Sequence, residues 1–185
     1  SDILTISNNR KSVKMLKHNK CRMVSIDSST NKTAYAIYEG GSLTGHGLLD
    51  ISDEHNMDDR FAKMSQKIME ILSKYDPDIV YIEETVVIRN AQTQRFLTRL
   101  QGVVYAWTIL NNCDFNTIRP TQWRKLVGID QTKKKREVLK AEAIALVKAL
   151  FELDCNDDEA EAILIGLAAI RMYNPGTDMR KAEIA

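Results

Sequence analysis

Four carboxylates in this 185-residue chain have the type and placement to do chemistry. Asp27 ends the run Met23-Val24-Ser25-Ile26-Asp27, and Glu83 ends Ile79-Val80-Tyr81-Ile82-Glu83. Each run reads as a short buried strand. Asp158 and Glu161 stand three apart, just before the apolar stretch Ala162 to Ile170. That spacing sets both on one face of a helix. The carboxyl ends of core strands form the edge where the sites of open α/β sheets assemble. If the helix packs there, four negative charges converge from three remote parts of the chain. Like charges so close raise one another's pKa, whereas divalent cations neutralise them. Hard oxygen ligands without Cys or His select Mg²⁺ or Mn²⁺. Two such ions per active site, roughly 3.5–4 Å apart, suit in-line phosphodiester hydrolysis. That cut leaves a 3′-hydroxyl and a 5′-phosphate.

Each carboxylate also has a plainer reading. Acids in a first helical turn are favoured by the dipole alone. Asp27, before Ser28-Ser29-Thr30, could start a turn. Glu83 is harder to dismiss, because a carboxylate closing a buried strand needs a partner. Its neighbour Glu84 points to the opposite face and reads as solvated or paired.

Charge supplies the second signal. The formal net charge is only +1, but its distribution is uneven. Ile3 to Ile26 holds six basic residues and no acid. A second basic stretch contains Arg119, Arg124, Lys125, Lys133, Lys134, Lys135, Arg136 and Lys140, while acids concentrate from Asp154 to Glu161. Such segregation fits a phosphate-binding surface beside an acidic pocket, or solvated faces and tails. The expected DNA-binding set is Arg119, Trp123, Arg124, Lys125, Lys133, Lys134, Lys135 and Arg136. Trp123, between Gln122 and Arg124, is expected in a basic loop where it could touch DNA. A lysine of this stretch could steady charge on the pentavalent phosphate. Trp107 reads as core or as part of a dimer face. His18, His46 and His55 show no ligand spacing. Cys21, Cys113 and Cys155 are scattered, which argues against a disulfide framework or a zinc site.

The elements that must position these residues follow from pattern. After the strand ending at Asp27, Thr33 to Glu39 is rich in strand formers. Gly40-Gly41 signals a hairpin turn, and Leu43 to Ile51 is the return strand. Apolar residues at helical spacing predict a helix over 56–75, ended by Asp76-Pro77-Asp78. The strand to Glu83, a helix over 91–111, a strand from Phe115 to Ile118, and helices over about 133–151 and 157–173 complete the order. This predicts an α/β fold: a mixed sheet, with a three-strand antiparallel meander plus parallel strands, flanked by helices. Residues 21–175 form the expected domain. Residues 1–20 read as a basic arm or extra strands, and 176–185 as a tail. With 44% hydrophobic residues and no apolar run of membrane-spanning length, a cytoplasmic protein in a bacterial host cell, with no membrane partner, is expected.

The sequence resembles the RuvC-type Holliday junction resolvases of the ribonuclease H-like fold over about residues 22–173. Ile26-Asp27-Ser28-Ser29-Thr30 followed by Ala34-Tyr35-Ala36-Ile37 is similar to the family's first catalytic strand and hairpin. Ile82-Glu83-Glu84, continuing through Asn90-Ala91 to Gln101-Gly102, resembles its second motif. Arg119-Pro120, Leu126-Val127-Gly128-Ile129 and Lys135-Arg136-Glu137-Val138 resemble its basic loop and third helix. Asp158-Glu159-Ala160-Glu161-Ala162 resembles the closing D-x-A-D-A signature. The resemblance implies a metal-dependent homodimer that places paired nicks across a four-way junction, and a catalytic lysine whose helix-side position Lys135 fits. Two departures stand out. Glu161 replaces the usual aspartate, and Val86 replaces a phenylalanine that stacks on an unpaired base in the family, which leans toward a phage-type relative acting on forks as well as junctions. Rival readings are a YqgF-like or ribonuclease H-like nuclease acting on RNA or hybrids, and a non-catalytic branched-DNA-binding protein. An actin-like ATPase would need a duplicated domain for which this chain has no room.

Overall fold

A computed structural model describes residues 21–86 and 90–173. The expected arm over 1–20 and tail over 176–185 lie outside them. Five strands form one sheet: β1 (Arg22–Ser28), β2 (Lys32–Glu39), β3 (Ser42–Asp50), β4 (Ile79–Glu83) and β5 (Asp114–Ile118). Their order across the sheet is β3-β2-β1-β4-β5. β1, β2 and β3 pair antiparallel, and β4 joins β1 and β5 in parallel. The expected ribonuclease H-like mixed sheet is therefore observed. Gly40 and Gly41, at φ 57° and 89°, supply the positive-φ pair that a two-residue hairpin between β2 and β3 demands.

Among the described residues, five helices flank the sheet: α1 (Met57–Tyr75), α2 (Ala91–Leu110), α3 (Pro120–Val127), α4 (Arg136–Phe151) and α5 (Asp157–Tyr173). α1 and α2 begin where asparagines cap them. The Asn56 side chain accepts from the N–H groups of Asp58 and Asp59, and Asn90 does the same for Gln92 and Thr93. Strand alternation divides the core in two. Val24, Ile26, Val80 and Ile82 face α1 and α2, packing with Met64, Ile68, Phe96 and Leu100. Met23, Ile79 and Tyr81 face the other way, with Trp123, Ala143, Val147 and the apolar body of α5. None of the described helices is long and apolar enough to cross a membrane.

Two expectations are corrected here. The stretch expected as a basic loop is in fact the helix α3, followed by a turn. Pro120 occupies its first turn, and Gly128 at φ 88° closes it by donating to the carbonyls of Arg124 and Lys125. Proline just inside the start and glycine just past the end bound this helix, which is only eight residues long. The helix expected over about 133–151 begins instead at Arg136. Lys133, at φ 54°, interrupts the helical path before it.

α5 lies unusually close to the sheet. Residues 160–170 are all buried, as its continuous apolar run requires. Ser25 Oγ on β1 donates to the Ala162 carbonyl at 2.7 Å, and the Tyr38 hydroxyl on β2 donates to that of Ile163 at 2.6 Å. Gly166 makes this approach possible. A Cβ there would collide with the Tyr38 ring and come within 2.8 Å of Ser25 Oγ. Both obstacles are themselves hydrogen-bonded to α5, so neither can yield cheaply. Gly166→Ala should therefore destabilise the fold by about 1–3 kcal/mol despite alanine's better helix propensity. A denaturant melt checks this, and a wild-type midpoint would mean that α5 can lift off the sheet without penalty.

Candidate active site

The register of the parallel pair builds the first half of the site. Val24 pairs with Val80 and Ile26 with Ile82, so Asp27 and Glu83 follow side by side. Both belong to the alternation set that points toward α5. The second half comes from the start of that helix. Asn156 caps it, accepting from Glu159 N–H at 2.8 Å and donating back to the Glu159 carboxylate at 2.8 Å. This reciprocal pairing resembles a capping box and anchors the first turn. Lys140 on α4 binds Asp157. His46 Nδ1 on β3 lies 2.8 Å from Glu159. With Asp157 and Glu159 engaged outward, Asp158 and Glu161 are left to turn toward Asp27.

The electrostatics record that convergence. Burial pushes the Asp27 carboxyl well above the usual range, and the charges of Glu83, Glu161 and Asp158 push it further. The Glu161 carboxyl comes within hydrogen-bonding reach of it. Glu83 is also raised, first by burial and then by Glu161, against the pull of a hydrogen bond from Trp123 and the charges of Arg124 and Arg136. Glu83, Asp158 and Glu161 therefore all act on Asp27, and Glu161 acts on Glu83 as well.

α3 supplies the groups that face them. Trp123 Nε1 donates to Glu83 Oε2 at 2.6 Å. Arg124 Nη2 lies 3.2 Å from Glu161 Oε1, in a pair that is largely buried on both sides. The Arg124 guanidinium also stacks over the Trp123 ring, 4.8 Å from its centroid. Its Nε is buried with no hydrogen-bond partner. The DNA contact expected of Trp123 is therefore corrected. Its side chain is 0% exposed and its only polar atom is engaged by Glu83. What sequence reasoning missed was this inward role, which the amphipathic spacing of Trp123 and Val127 between Pro120 and Gly128 could have signalled.

The remaining basic residues take varied places. Lys125, Lys133, Lys135 and Arg136 are exposed on α3 and around the start of α4. Arg119 is exposed and pairs with Glu84 at 2.9 Å, so Glu84 is indeed paired and off the pocket. Lys134 is held by Glu142 at 2.6 Å. Of the two cations whose charge lowers the Glu83 pKa, Arg136 is adjacent to the expected Lys135 and Arg124 lies inside the pocket.

The donor set fits a hard divalent cation. It is all carboxylate, it is strained by mutual repulsion, and no thiol or imidazole enters it. Cys21 and Cys113 are buried elsewhere, their thiols pushed up to about 11 and about 12 mainly by desolvation. Among the described residues, no three acidic, histidine or cysteine side chains close on one point as metal ligands do. The Arg124 guanidinium offsets part of the charge there.

The family described as crossover junction endodeoxyribonuclease RuvC matches residues 23–168. Relatives of that name are 25% identical over 154 residues in Caldicellulosiruptor saccharolyticus, covering 80% of this chain and 92% of the relative. In Fusobacterium nucleatum the figure is 24% over 153 residues, covering 80% of each. Among solved structures, Thermus thermophilus RuvC in complex with a Holliday junction substrate superposes with a TM-score of 0.67 at 16% identity, covering 85% of this chain and 97% of that one. The yeast mitochondrial Holliday junction resolvase gives 0.56 at 14% identity, covering 95% and 90%.

A raised carboxyl pKa means that the folded state resists ionisation, so stability falls as pH rises above the unfolded value near 4. Asp27→Asn removes that resistance. Without divalent cations the variant should melt a few degrees above wild type at pH 7, and the gap should shrink toward pH 4. Scanning calorimetry in EDTA reads this. An unchanged or lower melting temperature at pH 7 would mean that Asp27 is not under repulsion.

Proposed function

We propose, from the premise that this chain belongs to the RuvC family of crossover junction endodeoxyribonucleases, that it is a hydrolase that cuts four-way junctions and other branched DNA. The observation that carries the reading is the meeting of Asp27 and Glu83, at paired strand ends, with Asp158 and Glu161 at the start of α5. These four residues would hold Mg²⁺ or Mn²⁺, two ions per site. Bound there, such ions supply an activated water and offset negative charge on the reacting phosphate and departing oxygen.

The chain's own residues do the rest. Trp123 and Arg124 hold Glu83 and Glu161 in place, and the wall of α5 backs the pocket with apolar side chains that keep bulk water out. Lys125, Lys133, Lys135 and Arg136 form an exposed basic rim beside the pocket, suited to phosphates flanking the cut. Lys135 remains the candidate to steady charge at the phosphate, with Arg136 beside it and Arg124 within. Arg119 and Lys134 reach DNA only by exchanging carboxylate partners for phosphates. Val86, 46% exposed, offers no ring to an unpaired base. That supports acceptance of varied branches over strict junction selectivity.

A homodimer completes the proposal, because two equivalent nicks across a two-fold junction need two sites. What supports it is an exposed apolar face on α2. Tyr105, Ile109 and Leu110 are 48%, 63% and 83% exposed, and a Cβ on Gly102 would meet nothing within 4 Å.

Cleavage of labelled four-way junction, fork and linear duplex tests the reading. Asp27→Asn and Glu83→Gln should bind junctions as wild type does in EDTA. With Mg²⁺ or Mn²⁺ they should cut more than about 100-fold more slowly, beyond what losing a support to a metal ligand costs. Lys135→Ala should lower the salt slope of junction binding by about one. Ile109→Glu should shift the mass by light scattering from dimer to monomer. No cutting of any DNA by wild type, with cutting of RNA or hybrid, would move the substrate to the ribonuclease reading. No cutting of either would leave a branch-binding protein.

A further inference from the structure

We propose that Trp123 is a positioning residue for Glu83, its buried indole N–H holding one carboxylate oxygen so that the other is presented to a cation. The inference rests on the metal reading above and concerns how this chain prepares that site. An indole N–H is a donor only, so it selects a carboxylate oxygen and cannot reverse the bond. The contact is short, at 2.6 Å, and the side chain has no solvent exposure through which water could compete.

The ring is immobilised on three sides. α3 is fixed between Pro120 and the Gly128 cap. Val127, Ile129 and the body of α5 belong to the same buried cluster as Trp123. Arg124 covers the ring face while reaching Glu161 at 3.2 Å. Two successive residues of one short helix thus hold two of the four carboxylates.

The choice of donor has a physical consequence. A lysine or arginine on Glu83 would orient it equally well but would also neutralise it, and so compete with a divalent cation. A neutral indole orients the carboxylate and leaves its charge in place. Glu83 depends on such help because it is buried beside like charges, and a carboxylate without a partner there would rotate away from its neighbours. Contacts that orient a metal ligand typically contribute 10–100-fold in affinity.

The chain has two tryptophans, and the indole N–H of Trp107 donates to Ser73 Oγ at a longer 3.3 Å. Nitrogen-15 NMR of the wild-type protein should therefore show two indole signals, one of them far downfield. The downfield signal should vanish in Trp123→Phe and shift in Glu83→Gln. It should move as Mg²⁺ is titrated in, while the Trp107 signal stays in place. Trp123→Phe keeps the ring packing and loses the donor. Calorimetric titration with Mn²⁺ alone should show it binding about 10–100-fold more weakly than wild type, with junction binding in EDTA unchanged. If wild type binds Mn²⁺ but neither indole signal responds, or if the variant binds Mn²⁺ as tightly, the positioning role is wrong. If wild type binds no Mn²⁺ at all, the metal reading falls and takes this inference with it. The wild-type titration needs no variant, so misfolding of Trp123→Phe would leave the proposal open to refutation.

Discussion

Repulsion among four carboxylates is the constraint to which the rest of this fold answers. Folding must bury Asp27 and Glu83 beside the charges of Asp158 and Glu161, although burial and like charge together raise the pKa of the first two. The force that does so is not local. It comes from burying both faces of the sheet, and above all from α5, whose residues 160–170 are wholly withdrawn from water. A helix with one apolar stripe could rotate or slide to relieve its first turn. A helix that is apolar all round, and hydrogen-bonded through its own carbonyls to Ser25 and Tyr38, has no such freedom.

The parallel pairing of β1 and β4 contributes the other half of that rigidity. Their register is fixed by residues facing α1 and α2, Val24 with Val80 and Ile26 with Ile82, which carry no chemistry. A slip of one residue would turn Asp27 or Glu83 to the wrong face along with the whole apolar set of its strand. The acidic pair is thus held in place by the hydrophobic layer on the opposite side of the sheet. On the pocket side, cationic and neutral supports divide the work. Lys140 and His46 occupy the outward acids of α5, Arg124 takes Glu161, and an uncharged indole takes Glu83.

How much of this could be read from the sequence depended on the range of the interaction. The meander, α1, β4 and α5 were legible because their patterns are local: a Gly-Gly turn, apolar residues at helical spacing, and a continuous apolar run too long to be exposed. The four carboxylates were legible because each closes or opens such an element. α3 was not, although proline and glycine bracket it. Eight residues give too few turns for periodicity to outweigh a run of basic and polar side chains. Nor does Trp123 declare its direction locally, since tryptophan beside arginine reads equally well as a surface contact or a core anchor. Only the long-range partner Glu83, forty positions away, decides between them. Arg124 was recognised as a candidate cation, but its engagement with Glu161 could not be inferred without the crossing of α3 and α5.

Gly166, Tyr38 and Ser25 come from three separate segments, yet they occupy one shared volume. They are bound to drift as a unit. A side chain at 166 is accommodated freely only once the aromatic ring at 38 is gone, and losing that ring's hydroxyl loses a donor to the backbone of the helix that carries the acids. Each single step through that exchange is worse than either end. Descendants of this protein would more readily change the rim that meets their substrate than this junction beneath it, so divergence in what is cut can outpace divergence in how the cutting groups are held.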